Sequence, residues 1–230
     1  MNTAHQAQKD SWNKEHKQPF AVQQMDATHA SGSVELFYEF LQKEGSKNLK
    51  GLEMGCGKGR NVLWLANQPG IGMMSGFDFS EVAIAEAKKR GKDSHAEFKV
   101  MDATEPWKYE ADTFDFGIDC TASTDIEDPI GRKFAAGEFF RVLKTGGALL
   151  VYAMSTDDEY HKKIINESPA PEPHAFLHPQ TGKFEKVFTA EELDSLYGKL
   201  KLIEGRRIEK ETEFFGKKFQ CKNHWRIYKK

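Results

Sequence analysis

Gly51-Leu52-Glu53-Met54-Gly55-Cys56-Gly57-Lys58-Gly59-Arg60-Asn61 reads as a strand ending on an acid, a glycine-rich turn, and the start of a helix. Glycine accepts positive φ and lets a ligand approach the main chain closely. The helix start that follows favours an anionic group. The spacing is G-x-G-x-G, and Arg60 stands where the dinucleotide fingerprint needs its last glycine. Glu53 at the strand end repels a pyrophosphate and attracts a cation. A ligand with an ammonium, a carboxylate and no phosphate suits this mixture better than a dinucleotide does.

Outward from this turn, short apolar runs alternate with helical patterns, which implies βαβ units and a parallel sheet. Strands are expected over residues 49–54, 73–77, 96–100, 114–118 and 148–153. Helices are expected over 61–66, over 81–90 between Ser80 as N-cap and Gly91, and over 131–143 before Gly146-Gly147. Further on, Thr189 with Glu192 forms a capping box and Phe188 with Leu193 a hydrophobic staple, for a helix ending near Gly198. Runs at 201–211 and 218–228, with Gly216 between them, should pair as an antiparallel hairpin. The expected fold is α/β: a doubly wound, Rossmann-like, seven-stranded sheet, mostly parallel with a C-terminal antiparallel hairpin.

Residues 1–32 form an N-terminal segment outside the sheet, whose Trp12 and Phe20 suggest docking against the body. Residues 33–230 form a single domain. Within it, 155–187 reads as a lid-like insertion, since Pro169, Pro171, Pro173, Pro179 and Gly182 break any regular pattern. A segment of that length in a compact domain is usually a lid or binding loop.

Bulk properties narrow the function classes. The 230 residues, 39% hydrophobic, suffice for one good core. Lys+Arg 33 against Asp+Glu 35 gives a formal net charge of −2, without the basic excess of a typical nucleic-acid binder. Cys56, Cys120 and Cys221 lie far apart without C-x-x-C spacing, which argues against a disulfide framework or structural zinc and for a reducing compartment. The first 25 residues are polar and unlike a signal peptide, and no apolar run reaches the length of a membrane span. A soluble, cytoplasmic protein is expected.

Ligands of doubly wound sheets sit at the carboxyl ends of the strands. Four acids fall there: Glu53, Asp78, Asp102 and Asp119. One such acid is commonly a cap or turn former, but four along one sheet edge beside a glycine turn are harder to explain as caps. Asp78, about 20 residues past the turn, occupies the place where an acid hydrogen-bonds ribose hydroxyls.

Residues 49 to about 155 resemble class I S-adenosylmethionine-dependent methyltransferases. The likeness is carried by Glu53 through Asn61, Gly76-Phe77-Asp78-Phe79-Ser80, Met101-Asp102-Ala103, Phe114-Asp115 through Asp119, and Arg141-Val142-Leu143-Lys144-Thr145-Gly146-Gly147. S-adenosylmethionine has the ammonium and carboxylate that the turn suits. Ser11-Trp12-Asn13-Lys14, Cys56-Gly57-Lys58-Gly59-Arg60-Asn61 and the compact hairpin are similar to small-molecule enzymes of the tellurite-resistance and thiopurine methyltransferase type. The resemblance implies that Gly55 and Gly57 line the methionine part of the cofactor and that Glu53 helps hold its amino group. It implies Asp78 on the ribose, Phe79 against the adenine, and Asp102 with the Ala103 backbone at the adenine amino group. Asp119 and Cys120 would border the methyl and the acceptor. Trp12, Cys56 and Asn61 complete the expected cofactor-binding set. The sequence departs from the pattern at Glu53, where Asp is common, and at Thr145, where Pro is usual.

The expected reaction is in-line methyl transfer to a small acceptor beneath a lid made by 155–186 and the N-terminal segment. Candidate bases are Asp119, Tyr152, His161, His174 and His178, each histidine being read as solvent-exposed. Their spacing lacks the tight pairing of zinc ligands, so no metal is expected. Cys120, in Asp-Cys-Thr-Ala, lacks the Pro-Cys context of pyrimidine C5 methylation and reads as pocket-lining. No Asn/Asp-Pro-Pro-aromatic element follows the fourth strand, which disfavours exocyclic base amines as acceptors. The competing reading is an RNA or protein methyltransferase docking through Lys217, Lys218, Lys222, Arg226, Lys229 and Lys230. Solvated lysines on an edge hairpin have a simpler explanation, since they prevent edge-to-edge association. A third reading is a cofactor-binding protein without transferase activity. A small-molecule partner, no nucleic acid and no membrane are the expectations carried forward.

Overall fold

The computed structural model describes residues 3–17, 29–45, 47–214 and 216–230, so Phe20 lies outside the described residues. In chain order the elements are α1 (Thr3–Lys17), α2 (Gly32–Lys43), β1 (Leu49–Met54), α3 (Arg60–Ala66), β2 (Ile71–Asp78), α4 (Glu81–Arg90), β3 (Ala96–Val100) and β4 (Phe114–Cys120). A 3-10 turn (Ala122–Asp125), α5 (Pro129–Val142), β5 (Leu143–Met154), α6 (Glu159–Glu167), β6 (Ala175–Leu177), β7 (Phe184–Lys186), α7 (Ala190–Leu196), β8 (Lys201–Phe214) and β9 (Lys217–Lys229) follow.

The main sheet has the order β3-β2-β1-β4-β5-β9-β8. Adjacent strands β1 to β5 pair in parallel, as the alternating pattern predicts. The hairpin is antiparallel as expected, but β9 inserts between β5 and β8. β8 therefore runs with the first five strands, and β9 alone is reversed. Strand order reverses between β1 and β4, which opens the crevice of a doubly wound sheet at their carboxyl ends.

Helices cover both faces. On one, Val34, Phe37, Leu65 and Ile84 from α2, α3 and α4 pack against Phe116, Leu150 and Trp225. The Trp225 indole donates to the Ser33 carbonyl at 2.9 Å, tying β9 to α2. On the other face Phe139, Val142, Leu193 and Tyr197 pack over Leu52, Leu149 and Val151. α5 starts at Asp128, whose carboxylate accepts from the Ile130 and Gly131 N–H groups.

The capping box forms as the sequence predicts: Thr189 Oγ1 accepts from Glu192 N–H at 3.1 Å, and Glu192 accepts from Thr189 N–H at 2.8 Å. Thr189→Ala should cost about 1 kcal/mol, read as a lower urea midpoint at unchanged m. Four features depart from the sequence expectation. α1 and α2 are regular helices, and 155–187 is not a plain loop but carries α6 and the β6–β7 hairpin. α1 lacked a signal because its sequence, TAHQAQKDSWNKEHK, has no continuous apolar stripe.

Candidate functional site

The glycine turn after β1 sits in the crevice. Gly55, Gly57 and Gly59 have φ of 64°, 52° and 80°. A Cβ on Gly55 would lie 2.5 Å from Ala122 Cβ, and one on Gly59 2.8 Å from the Phe98 ring. The turn is therefore pressed against the 3-10 turn on one side and β3 on the other. Asp78 clamps it from β2: Oδ2 accepts from Gly57 N–H at 3.0 Å and Oδ1 from Ser80 N–H at 2.8 Å. Burial raises the Asp78 pKa, opposed by these bonds.

Glu53 is 2% exposed. Its Oε1 accepts from Asn61 Nδ2 at 2.7 Å, while buried Oε2 has no donor among the described residues. Burial, with Asp78 and Asp119 nearby, pushes its pKa up to about 8. Asn61 Oδ1 in turn accepts from Ser31 N–H at 2.8 Å, and Arg60 donates to the carbonyls of His29 and Ala30 at 2.7 and 2.9 Å. The start of α2 is thus stitched to the turn. Cys120 Sγ lies 3.6 Å from both Ser31 Oγ and Ser33 Oγ, and burial takes its thiol up to about 11, so it stays protonated at neutral pH. Cys56 is buried beside the turn, its thiol likewise raised by burial. Glu53 Oε2 is thus open to a further donor.

The other strand-end acids have local duties. Asp102 Oδ1 accepts from Thr104 N–H at 2.9 Å and Thr104 Oγ1 at 2.8 Å, and the Ala103 carbonyl accepts from the Trp107 indole at 3.0 Å. Together they shape the turn after β3, while Phe79 follows Asp78 half-buried at the end of β2. Asp119 is fully buried; it takes the Tyr197 hydroxyl on Oδ2 and Ser123 N–H on Oδ1 at 3.1 Å. It is a strut between β4 and α7. That arrangement makes Asp119 a poor base.

α1 roofs this floor. The Gln8 amide donates to the Asp125 carbonyl, Lys9 pairs with Glu81 at 3.0 Å, and Asn13 Oδ1 accepts from Ser80 Oγ at 2.6 Å. His16 lies over Gly57. Burial, with Lys58 and Lys183 nearby, lowers the His16 pKa to about 4. Trp12 sits under Lys183, whose Nζ is 3.8 Å from the ring centroid; its buried indole N–H has no acceptor among the described residues. Trp12 thus belongs to the junction of roof and cap.

Two of the three cap histidines are buried, against the sequence expectation. His161 packs 2.7 Å from Asp158, and His178 meets the Tyr160 hydroxyl at 3.2 Å. His174 is the exposed one, paired with Glu192 at 3.2 Å. For His178 sequence periodicity could not reveal this, because Tyr160 comes from a different element, whereas Asp158 caps the same helix that carries His161. Arg132 is a further residue that the sequence reading missed: 4% exposed, it binds the carbonyls of Ser123 and Ile126 and the Glu172 carboxylate. Among the described residues no group of three His, Cys, Asp or Glu could hold a metal, and no helix is long and apolar enough to cross a membrane.

With this geometry in place, comparison with known proteins is direct. A family described as a methyltransferase domain matches residues 52–147. A solved S-adenosylmethionine-dependent methyltransferase from Methanosarcina mazei superposes with a TM-score of 0.72 at 26% identity, over 84% of this chain and 97% of that one. Residues 52–147 carry a class I S-adenosylmethionine-dependent methyltransferase domain. TehB from Haemophilus influenzae (TM-score 0.63, 20% identity, 88% of this chain and 63% of that one) shares the methyltransferase's fold. So does the N-methyltransferase NodS from Bradyrhizobium japonicum, solved with S-adenosylhomocysteine (TM-score 0.63, 17% identity, 96% and 98%). No curated protein matches the methyltransferase's sequence.

Proposed function

We propose that the methyltransferase modifies a small-molecule acceptor, with α1 and residues 155–187 acting as its lid. The observation that carries this reading is the roof: α1 spans the crevice from Asp125 to Ser80, which suits an enclosed ligand better than an open macromolecular surface. Glu53 and Asn61 would hold the cofactor's ammonium, Gly55, Cys56 and Gly57 its methionine chain, Asp78 and Phe79 its ribose and adenine, and Asp102 with Ala103 the adenine edge. Bound there, S-adenosylmethionine supplies an already activated methyl group. The protein's part is to align the acceptor and exclude water; orientation of this kind is worth on the order of 7–11 kcal/mol of barrier. TehB and NodS lend the small-molecule reading support by fold alone.

The macromolecular alternative finds less support. Of the basic hairpin residues, Lys218 pairs with Glu211, Arg226 with Asp194, Lys229 with Glu44 and Lys230 with Asp112. Phosphate backbones are held by free cations. A gel shift with total RNA should show no salt-dependent complex; a tight one would favour the alternative. The dispersed cysteines, all free, suit a reducing compartment, and the cytoplasm is the proposed location. Asp78→Ala removes two charge-assisted bonds from the glycine turn. S-adenosylhomocysteine binding should weaken roughly 10- to 100-fold by calorimetry, and undiminished affinity would remove Asp78 from the site.

A further inference from the structure

We propose that Tyr152 and Asn223 form the acceptor subsite and that the acceptor is an uncharged molecule held through an amide-like donor–acceptor edge. The proposal rests on the cofactor reading above. That reading fills the crevice over β1, β2 and β3 and leaves the side of β4, β5 and β9 for the acceptor. There Cys120 lies opposite Tyr152, and Tyr152 opposite Trp225. Residues opposite one another share a face of the sheet, as do residues two apart on one strand. Trp225 donates to the Ser33 carbonyl, so Cys120, Tyr152 and Asn223 all lie on the face that carries the start of α2. The contacts of Cys120 Sγ with Ser31 Oγ and Ser33 Oγ, at 3.6 Å each, agree.

Two polar side chains on this face have no partner. Asn223 is only 8% exposed, yet its amide makes no hydrogen bond among the described residues. One strand over, the hydroxyl of half-buried Tyr152 makes none either. Diagonal neighbours on adjacent strands lie within reach of long side chains, so one ligand edge can span both. A buried amide left unpaired is costly, and an edge with one donor and one acceptor satisfies it. The surroundings carry no free charge. Burial raises the Cys120 thiol to about 11 and the Tyr152 hydroxyl above its usual range, so both stay protonated at neutral pH. Ser31 Oγ does not cap α2 but pairs with Ser33 Oγ at 2.9 Å. Asp158, the acid beside Tyr152, is fully buried and already accepts from the N–H groups of His161 and Lys222. A charged acceptor would lose its water here and find no counter-ion.

Three probes of similar shape test this: benzamide, which is neutral, benzoate, which is anionic, and benzylamine, which is cationic. In ligand-observed NMR titrations of the full chain saturated with S-adenosylhomocysteine, benzamide should bind at least about tenfold more tightly than either ion. Asn223→Leu, which keeps the volume, and Tyr152→Phe should each weaken benzamide roughly three- to tenfold. S-adenosylhomocysteine affinity, read by calorimetry, should stay within about threefold in both variants, which also shows that they fold. An ion that binds as well as benzamide, a benzamide affinity that survives either substitution, or no benzamide binding at all would overturn the proposal. A matching loss of S-adenosylhomocysteine in the variants would assign the pair to the cofactor and overturn it as well. Failure of the parent to bind S-adenosylhomocysteine would instead defeat the cofactor reading itself.

Discussion

S-adenosylhomocysteine affinity should rise up to about tenfold per pH unit between roughly pH 6 and 8, with close to one proton released per molecule bound near pH 7. The cause is Glu53, whose burial holds its pKa up to about 8. In the free protein at pH 7 it is mostly protonated, and the ligand's ammonium needs it ionised. The sign follows from linkage. A carboxyl raised above its ordinary value favours the folded, ligand-free protein fully below that ordinary value, and the contribution is lost as pH climbs through about 8. Ligand binding runs the other way, trading the proton for an ammonium. Calorimetry in buffers of different ionisation enthalpy measures the proton count. Glu53→Gln keeps the Asn61 contact, should abolish the slope, and should weaken binding more at pH 8 than at pH 6. A flat profile in the parent, or proton uptake, would contradict the assignment.

Arg132→Met should destabilise the fold by about 3–5 kcal/mol. The guanidinium is nearly inaccessible and organises two regions at once. It donates to the carbonyls of Ser123 at 3.1 Å and Ile126 at 2.6 Å, fixing the 3-10 turn behind the site. Its fork also meets both oxygens of Glu172 in the cap at 2.8 and 2.9 Å. Methionine fills the volume but strands two carbonyls and leaves Glu172 with only Lys186, 3.6 Å away. Arg132→Lys should recover little, since a point charge cannot reproduce a planar fork. Arg132→Met/Glu172→Met should recover part of the loss, because the partly buried carboxylate goes with its partner. Urea denaturation of the three variants measures these differences.

The chemistry of the floor was legible because it is local. The glycine spacing, Glu53 at a strand end and Asp78 at the next are properties of short segments, and they form the turn and its clamp. Asp119 shows where that logic stops. Its position at the end of β4 was correct, but Tyr197, 78 residues away in sequence, takes one of its oxygens and makes it a strut. α1 is polar on nearly every side, so no hydrophobic period announces it, and its place over the crevice comes from Gln8, Lys9 and Asn13 contacts. The burial of His161 and His178 depends on Asp158 and Tyr160 and on the packing of α6 against β6. Charge and turn preference can be read from a segment, but partners supplied across the fold cannot.

The position of β9 also shapes how the chain assembles during synthesis. Its residues zip directly onto β5, from Ala148 opposite Lys229 to Met154 opposite Asn223, and Gly146 and Gly147 exchange main-chain bonds with Lys230. A nascent chain on the ribosome has β5 available long before it can supply that neighbour. β8 emerges before β9, yet joins the sheet only through it. Until β9 clears the exit tunnel, β5 presents an open, apolar edge that holding chaperones would have to cover.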